Sequence, residues 1–167
     1  VFPMRKQVDA ILPELTMVQA SLRANPRAST AAKPTILIPV FPGTNCEYES
    51  ARAVERAGAR ADVLVLRTHS PAATRESLEA FAARLSRAQG LFLPGGFSNG
   101  DEPDGSGKFI TAFLRNPIAA DALSGLLEQR DGLVIGICNG LQALVKLRLL
   151  PYGRLTAPDQ RAPTPTF

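Results

Sequence analysis

The chain has one histidine and two cysteines among its 167 residues. Two cysteines cannot staple a domain of this size, so the fold has to rest on a hydrophobic core, and free thiols fit a reducing compartment. A single histidine, His69, means that any reaction needing an imidazole from this chain depends on that residue alone. No apolar stretch approaches membrane-spanning length, and the start lacks the charged-then-apolar pattern of a secretory signal, so a cytoplasmic location is expected. Aromatic residues make up only 6%, and no basic run of five residues occurs. The formal charge of +4 therefore reads as scattered surface arginine, with no nucleic-acid partner and no membrane partner expected. A Walker A sequence is also missing.

What is present is an ordinary globular composition, 45% apolar and 20% charged, with length for one domain and its core. Residues 1–22 carry an amphipathic pattern (Val8, Ile11, Leu12, Leu15, Val18, Leu22) restarted at Pro13, and residues 25–34 have the small, Pro-bounded composition of a linker. Residues 1–33 are accordingly expected to be a tail and linker, and residues 34–167 the folded part. The first residue is Val1 and the last residues are Thr-rich and extended in character, so the chain reads as a piece of something longer.

From Thr35 onward, short β-rich runs alternate with helical patterns. Strands are expected at 35–41, 61–66, 90–93 and 133–135, and this βαβα order marks a parallel sheet covered by helices. The expected fold class is α/β, a flavodoxin-like open parallel sheet with helices on both faces, incomplete at the C-terminus. Continuously apolar strands this short suit a sheet buried on both sides. Pro39 lacks an amide donor, which is unusual in a central strand. Thr44 with Glu47 three residues on has the spacing of a capping box, predicting a helix with Ala51, Val54 and Ala57 inward and Gly58 at its end. A second helix should bury Leu78, Phe81, Ala82 and Leu85, Asn116-Pro117 should restart another, and a last one should bury Leu141, Leu144, Val145 and Leu149.

The most informative stretch is Gly136-Ile137-Cys138-Asn139-Gly140, a thiol between glycines at the junction of an apolar strand and a helical pattern. It has the shape of a nucleophile elbow, in which a strained turn presents a reactive side chain at the open end of a sheet. The amino end of the following helix favours negative charge at that place. Ligands bind at the carboxyl ends of parallel strands, and this edge also receives the loops Gly43 to Cys46 and Gly95 to Gly100. Backbone N–H groups of Gly96 and Asn139 could form an oxyanion hole for acyl transfer to Cys138.

Other features resolve as bland. The spacing in residues 95–100 is not that of a dinucleotide loop, and Asp101, Glu102 and Asp104 are broken by Pro103 as a calcium loop, leaving a solvated acidic segment. No cofactor or metal is expected on this chain. With strands in the order 2-1-3-4, His69 would lie about 14 Å from Cys138, too far for direct proton transfer. Cys46 is the rival nucleophile, but without the elbow spacing it reads as packing or support for a substrate loop.

Gly136-Ile137-Cys138-Asn139-Gly140-Leu141-Gln142 resembles the elbow of class I (triad-type) glutamine amidotransferases. The stretches Phe41-Pro42-Gly43-Thr44-Asn45-Cys46-Glu47 and Pro94-Gly95-Gly96-Phe97-Ser98-Asn99-Gly100-Asp101 look like the glutaminase domains of phosphoribosylformylglycinamidine synthases, C-terminally truncated here. The resemblance covers about residues 33–167 and implies that the residues before it end and link a preceding synthetase part. It implies that Cys138 attacks the carboxamide of glutamine, that Gln142 helps hold the substrate, and that ammonia passes to a synthetase domain, fused or associated. ATP and Mg act on that synthetase part. In the family a downstream histidine and glutamate complete the triad, and neither is reached in these 167 residues. The family commonly has glycine where this chain has Arg148, at the end of a helix. The competing expectation is a glutaminase-like docking module without activity, and a weaker one is another elbow-cysteine protein of the flavodoxin-like group.

Overall fold

The structure is a computed structural model, and it describes residues 33–101 and 107–156. The patterns read in residues 1–22 and 25–32, Glu102 and Asp104, and the Thr-rich end lie outside the described residues.

Four parallel strands form one sheet in the order β2-β1-β3-β4. They are β1 (Thr35–Val40), β2 (Arg60–Val65), β3 (Gly90–Leu93) and β4 (Leu133–Gly136). Between them run helices α1 (Glu47–Arg56), α2 (Pro71–Leu85), α3 (Lys108–Leu114) and α4 (Pro117–Ser124), the last followed by a π-turn over Gly125–Gln129. Helix α5 (Asn139–Lys146) follows β4. The open α/β sheet expected from the alternation is therefore present, in the anticipated strand order.

Pro39 is accommodated by its place in the ladder. The carbonyls of Pro34 and Val40 accept from Arg60 and Leu66 on the β2 side, and that of Thr35 accepts from Gln89 on the β3 side. Odd positions of β1 thus face β3, where the paired register ends at Leu37 opposite Leu91. Pro39 comes two residues later, so no β1–β3 bond is asked of its nitrogen. The strands are left free to part there, and this parting is the switch in strand order where loops can form a site.

Side chains alternate between two cores, as strand geometry requires. On one face Leu37, Leu91 and Leu93 are buried with Phe81, Leu114 and Leu123 beneath α2 to α5. Phe113 meets the rings of Phe41 and Phe81 edge-on, with centroids at 5.3 and 5.5 Å. Each such pair contributes about 0.5–1.5 kcal/mol beyond burial, and Phe41 is the residue from which the first loop departs. On the other face, among the described residues, only α1 covers the sheet, with its Val54 over Ile38 and Phe92.

That asymmetry corrects the expectation of strands buried on both sides. Val65 of β2 is 66% exposed and Leu133 of β4 is 58% exposed, each at one end of an edge strand, while Ala61 and Ile135 of the same strands pack against the cluster under α1. Two inward assignments also fail: Ala57 and Leu141 are exposed, while Val54, Leu144, Val145 and Leu149 are buried as expected. Ala57 has already left the last helical turn of α1, and Leu141 lies in the first turn of α5, which projects past the strand end.

Helix ends are set by specific donors and acceptors. Ser70 caps α2 by accepting from Ala73 ahead of Pro71, and Asn116 caps α4 by accepting from Ile118. At the other end of α2 the Arg130 guanidinium donates to the carbonyls of Leu85, Ser86 and Ala88 at 2.9, 3.0 and 2.7 Å. The capping box at the start of α1 is absent. Thr44 accepts from Phe41 N–H at 3.0 Å inside the preceding turn, and the residue before the helix is Cys46, with no side-chain cap.

Candidate active site

Cys138 stands between β4 and α5 with φ 51° and ψ −110°, and it is exposed. A non-glycine residue in that region costs on the order of 1–3 kcal/mol, which the surroundings must impose. Ile137 N–H is bonded to Leu93 C=O at 3.1 Å on the strand side, and Cys138 C=O accepts from Gln142 N–H at 3.0 Å on the helix side. The chain therefore has to turn within one residue. The flanking glycines permit it by removing atoms where strand and helix cross. A Cβ at Gly136 would lie 2.7 Å from the carbonyl of Gly140, and one at Gly140 would press into the backbone of Leu93.

The loop after β3 lies alongside. A Cβ on Gly95 would be 3.4 Å from the Cβ of Cys138, so the paired-glycine turn and the thiol are in van der Waals reach. This loop is tied to the loop after β1 by an antiparallel bridge between Thr44 and Gly96. The bridge is flanked by Asn45 N–H to Gly95 C=O and Phe97 N–H to Gly43 C=O, each 2.9 Å. In such a pair the two central residues turn their own N–H and C=O outward from the ladder. Gly96 and Cys138 line one cavity. Gly96 has φ 130°, and a Cβ there would lie 2.6 Å from the amide nitrogen of Asn45, so only glycine fits the crossing.

Asn139, the residue after Cys138, is 1% exposed. Its side-chain carbonyl accepts from the N–H of Ser98 at 3.3 Å, and its amide donates to Oε1 of Gln142 at 3.3 Å. One side chain therefore holds the glycine loop against the start of α5. This clamp was not anticipated, since nothing in residue spacing links position 98 to 139. Gln142 is half-buried with its side chain on Asn139, and Phe97 is 67% exposed at the rim.

Cys138 opens on a cavity of about 320 Å³ lined by Cys46, Glu49, Phe92, Gly95, Gly96 and Ile137 among others. Sequence reasoning placed Cys46 near the edge, and the structure brings it to the same cavity as Cys138. It does not bring His69. That residue follows β2, at the opposite edge of the sheet from β4, and lines a separate cavity with Thr68, Arg75 and Asn116. Among the described residues no group of three histidine, cysteine or acidic side chains could hold a metal ion, and no helix is long and apolar enough to cross a membrane. An accessible sulfur at the start of a helix, packed against a glycine turn, suits addition to a carbonyl carbon.

The chain is similar to known proteins over most of residues 33–167. The phosphoribosylformylglycinamidine synthase subunit PurQ of Dehalococcoides mccartyi is 35% identical over 120 residues, 72% of this chain and 42% of that protein. The PurQ subunit of Rubrobacter xylanophilus is 37% identical over 116 residues, 67% of this chain and 42% of that protein. The chain thus spans about two fifths of the length of these curated relatives. The structure of PurLQS from Thermotoga maritima is similar with a TM-score of 0.48 and 27% identity, over 70% of this chain and 45% of that one. The profile of the CobB/CobQ-like glutamine amidotransferase domain matches residues 33–167, and with most of its length so matched the chain belongs to that family.

Proposed function

We propose that this chain is part of the glutaminase of a phosphoribosylformylglycinamidine synthase, with Cys138 as its nucleophile. The observation that carries the reading is the elbow itself, an exposed thiol at φ 51° and ψ −110° packed against Gly95. Family membership and the names of the PurQ relatives support the assignment.

In this reading the sulfur of Cys138 adds to the carboxamide carbon of glutamine, forming a C–S bond. The oxyanion is held by the N–H groups of Gly96 and Asn139, with Gly95 and Phe97 shaping the rim and Gln142 holding the substrate side. The C–N bond then breaks, ammonia leaves, and water hydrolyses the thioester to glutamate and free thiol. The ammonia goes to an associated or fused synthetase part, where ATP and Mg support amination of formylglycinamide ribonucleotide. The departing nitrogen needs a proton, and the one histidine of these 167 residues stands at the far edge of the sheet. General acid–base help contributes on the order of 100- to 10,000-fold, so the chain alone should turn over slowly by at least that factor.

The test is reaction of the folded chain with an electrophilic glutamine analogue, followed by peptide mapping. One adduct on Cys138, abolished in Cys138→Ala, is expected, together with negligible release of ammonia from glutamine. Failure of a chain with native circular dichroism to be labelled at Cys138 overturns the glutaminase reading and leaves a docking module. Rapid ammonia release that depends on Cys138 overturns the claim that the isolated chain is slow.

A further inference from the structure

The sequence has two cysteines, and the mechanism above uses one. The other, Cys46, is also exposed, also stands immediately before a helix, and also has a positive φ, 67° against 51° for Cys138. Both line the same cavity of about 320 Å³. Gly95 lies between their loops. Its carbonyl accepts from Asn45, the neighbour of Cys46, at 2.9 Å, and its absent Cβ leaves the space beside Cys138. The backbone of Cys46 is held in turn, since its carbonyl accepts from Ser50 N–H at 2.9 Å and Ser50 Oγ at 2.6 Å. A strained non-glycine residue held this firmly, with its thiol open to the nucleophile's own cavity, is more than packing requires.

We propose that Cys46 is a resolving thiol and a site of reversible oxidative modification, protecting Cys138 from irreversible loss in the presence of hydroperoxides. The inference rests on the reading of Cys138 as an accessible nucleophile. Its sulfur attacks one oxygen of the peroxide, the O–O bond breaks, and the thiol becomes a sulfenic acid as the peroxide is reduced to water or an alcohol. The sulfur of Cys46 then attacks the sulfenic sulfur of Cys138, the S–O bond breaks, and the hydroxyl leaves with the thiol proton as water. The product is a Cys46–Cys138 disulfide, which two equivalents of a small thiol return to the dithiol. A disulfide requires Cα atoms within about 7 Å, so an intramolecular cross-link would itself report that the two loop ends come that close. While it persists, the nucleophile is masked but preserved.

The experiment treats the reduced 167-residue chain with hydrogen peroxide, with and without dimedone, and reads intact mass and mapped peptides. The expected result is loss of two hydrogens, one intramolecular peptide pair joining Cys46 to Cys138, and recovery of both thiols with dithiothreitol. Cys46→Ser should instead give dimedone labelling of Cys138 raised about fivefold or more, followed by sulfinic acid. Equal dimedone labelling of wild type and Cys46→Ser, or a cross-link only between molecules, overturns the proposal. If Cys46→Ser does not fold, the wild-type peptide pair alone decides: its presence supports the proposal and its absence overturns it. Labelling of the reduced chain by the glutamine analogue is scored separately. A chain that is labelled but forms no cross-link refutes this inference alone, whereas one that cross-links without labelling refutes the glutaminase reading and leaves the thiol pair standing.

Discussion

Gly140→Ala sets two physical effects against each other with opposite signs. Gly140 lies in the first turn of α5, and replacing a helical glycine with alanine ordinarily stabilises by about 1 kcal/mol. The tertiary structure reverses that expectation. The new methyl would lie 2.8 Å from the Cβ of Leu93 and would press into that residue's carbonyl, and Leu93 is fully buried in the sheet with no room to retreat. Overpacking against a rigid neighbour costs typically 1–3 kcal/mol, and more where the contact is backbone. The net expectation is a loss of about 1–2 kcal/mol, or about 3–8 °C in melting temperature for a domain of this size. The strain can be relieved only by lifting α5 from β3. That moves Cys138 away from Gly95 and slows labelling by an electrophilic glutamine analogue more than the stability loss alone explains. Thermal unfolding by circular dichroism and the labelling rate of the folded fraction are the assays. If Gly140→Ala melts at or above the wild-type temperature and labels at the wild-type rate, the account of why glycine occupies this place in the elbow is wrong.

Three further outcomes are expected. Arg148 has φ 61° and ψ 19°, a left-handed conformation that costs a side-chain-bearing residue about 1–2 kcal/mol; Arg148→Gly should therefore raise the unfolding free energy from urea titration by up to about 1 kcal/mol, after the greater freedom of glycine in the unfolded chain is deducted, with a higher midpoint. Arg130→Ala removes the fork that gathers three carbonyls at the end of α2 and should destabilise by about 1–2 kcal/mol, with Arg130→Lys recovering only part because an ammonium cannot span the same acceptors; a neutral result in chemical denaturation would count against that cap. Asn139→Ala strips the acceptor from Ser98 N–H and the donor from Gln142, which should cost about 1–3 kcal/mol and speed amide hydrogen exchange at Ser98, whereas unchanged exchange there would show that the loop is held by something else.

The conformational strain at Arg148 shows what a local pattern can carry. Its place at a helix end where the resembled family has glycine was visible from the sequence, and the backbone there is left-handed as that comparison implied. Asn116-Pro117 likewise restarts a helix, because a side-chain acceptor and a preset φ act within three residues. The start of α1 shows the opposite. Thr44 and Glu47 have capping-box spacing, but the hydroxyl of Thr44 is already engaged by Phe41 N–H, and the preceding turn delays the helix until Glu47. Val65 and Leu133 were misjudged for a common reason. Periodicity reports that a face is apolar, while coverage depends on which element lies over it, and among the described residues only α1 lies over that face of the sheet.

By itself the sequence determined the order of strands and helices, the one-residue turn at Cys138 and the need for glycine on either side of it. Each follows from steric rules acting over a few neighbouring residues. The tertiary structure alone decided that Asn139 reaches across to residue 98 and that Cys46 shares the cavity of Cys138. Those outcomes depend on which strands become neighbours, and a contact between loops about fifty residues apart arises only when hydrophobic burial has brought β1, β3 and β4 side by side.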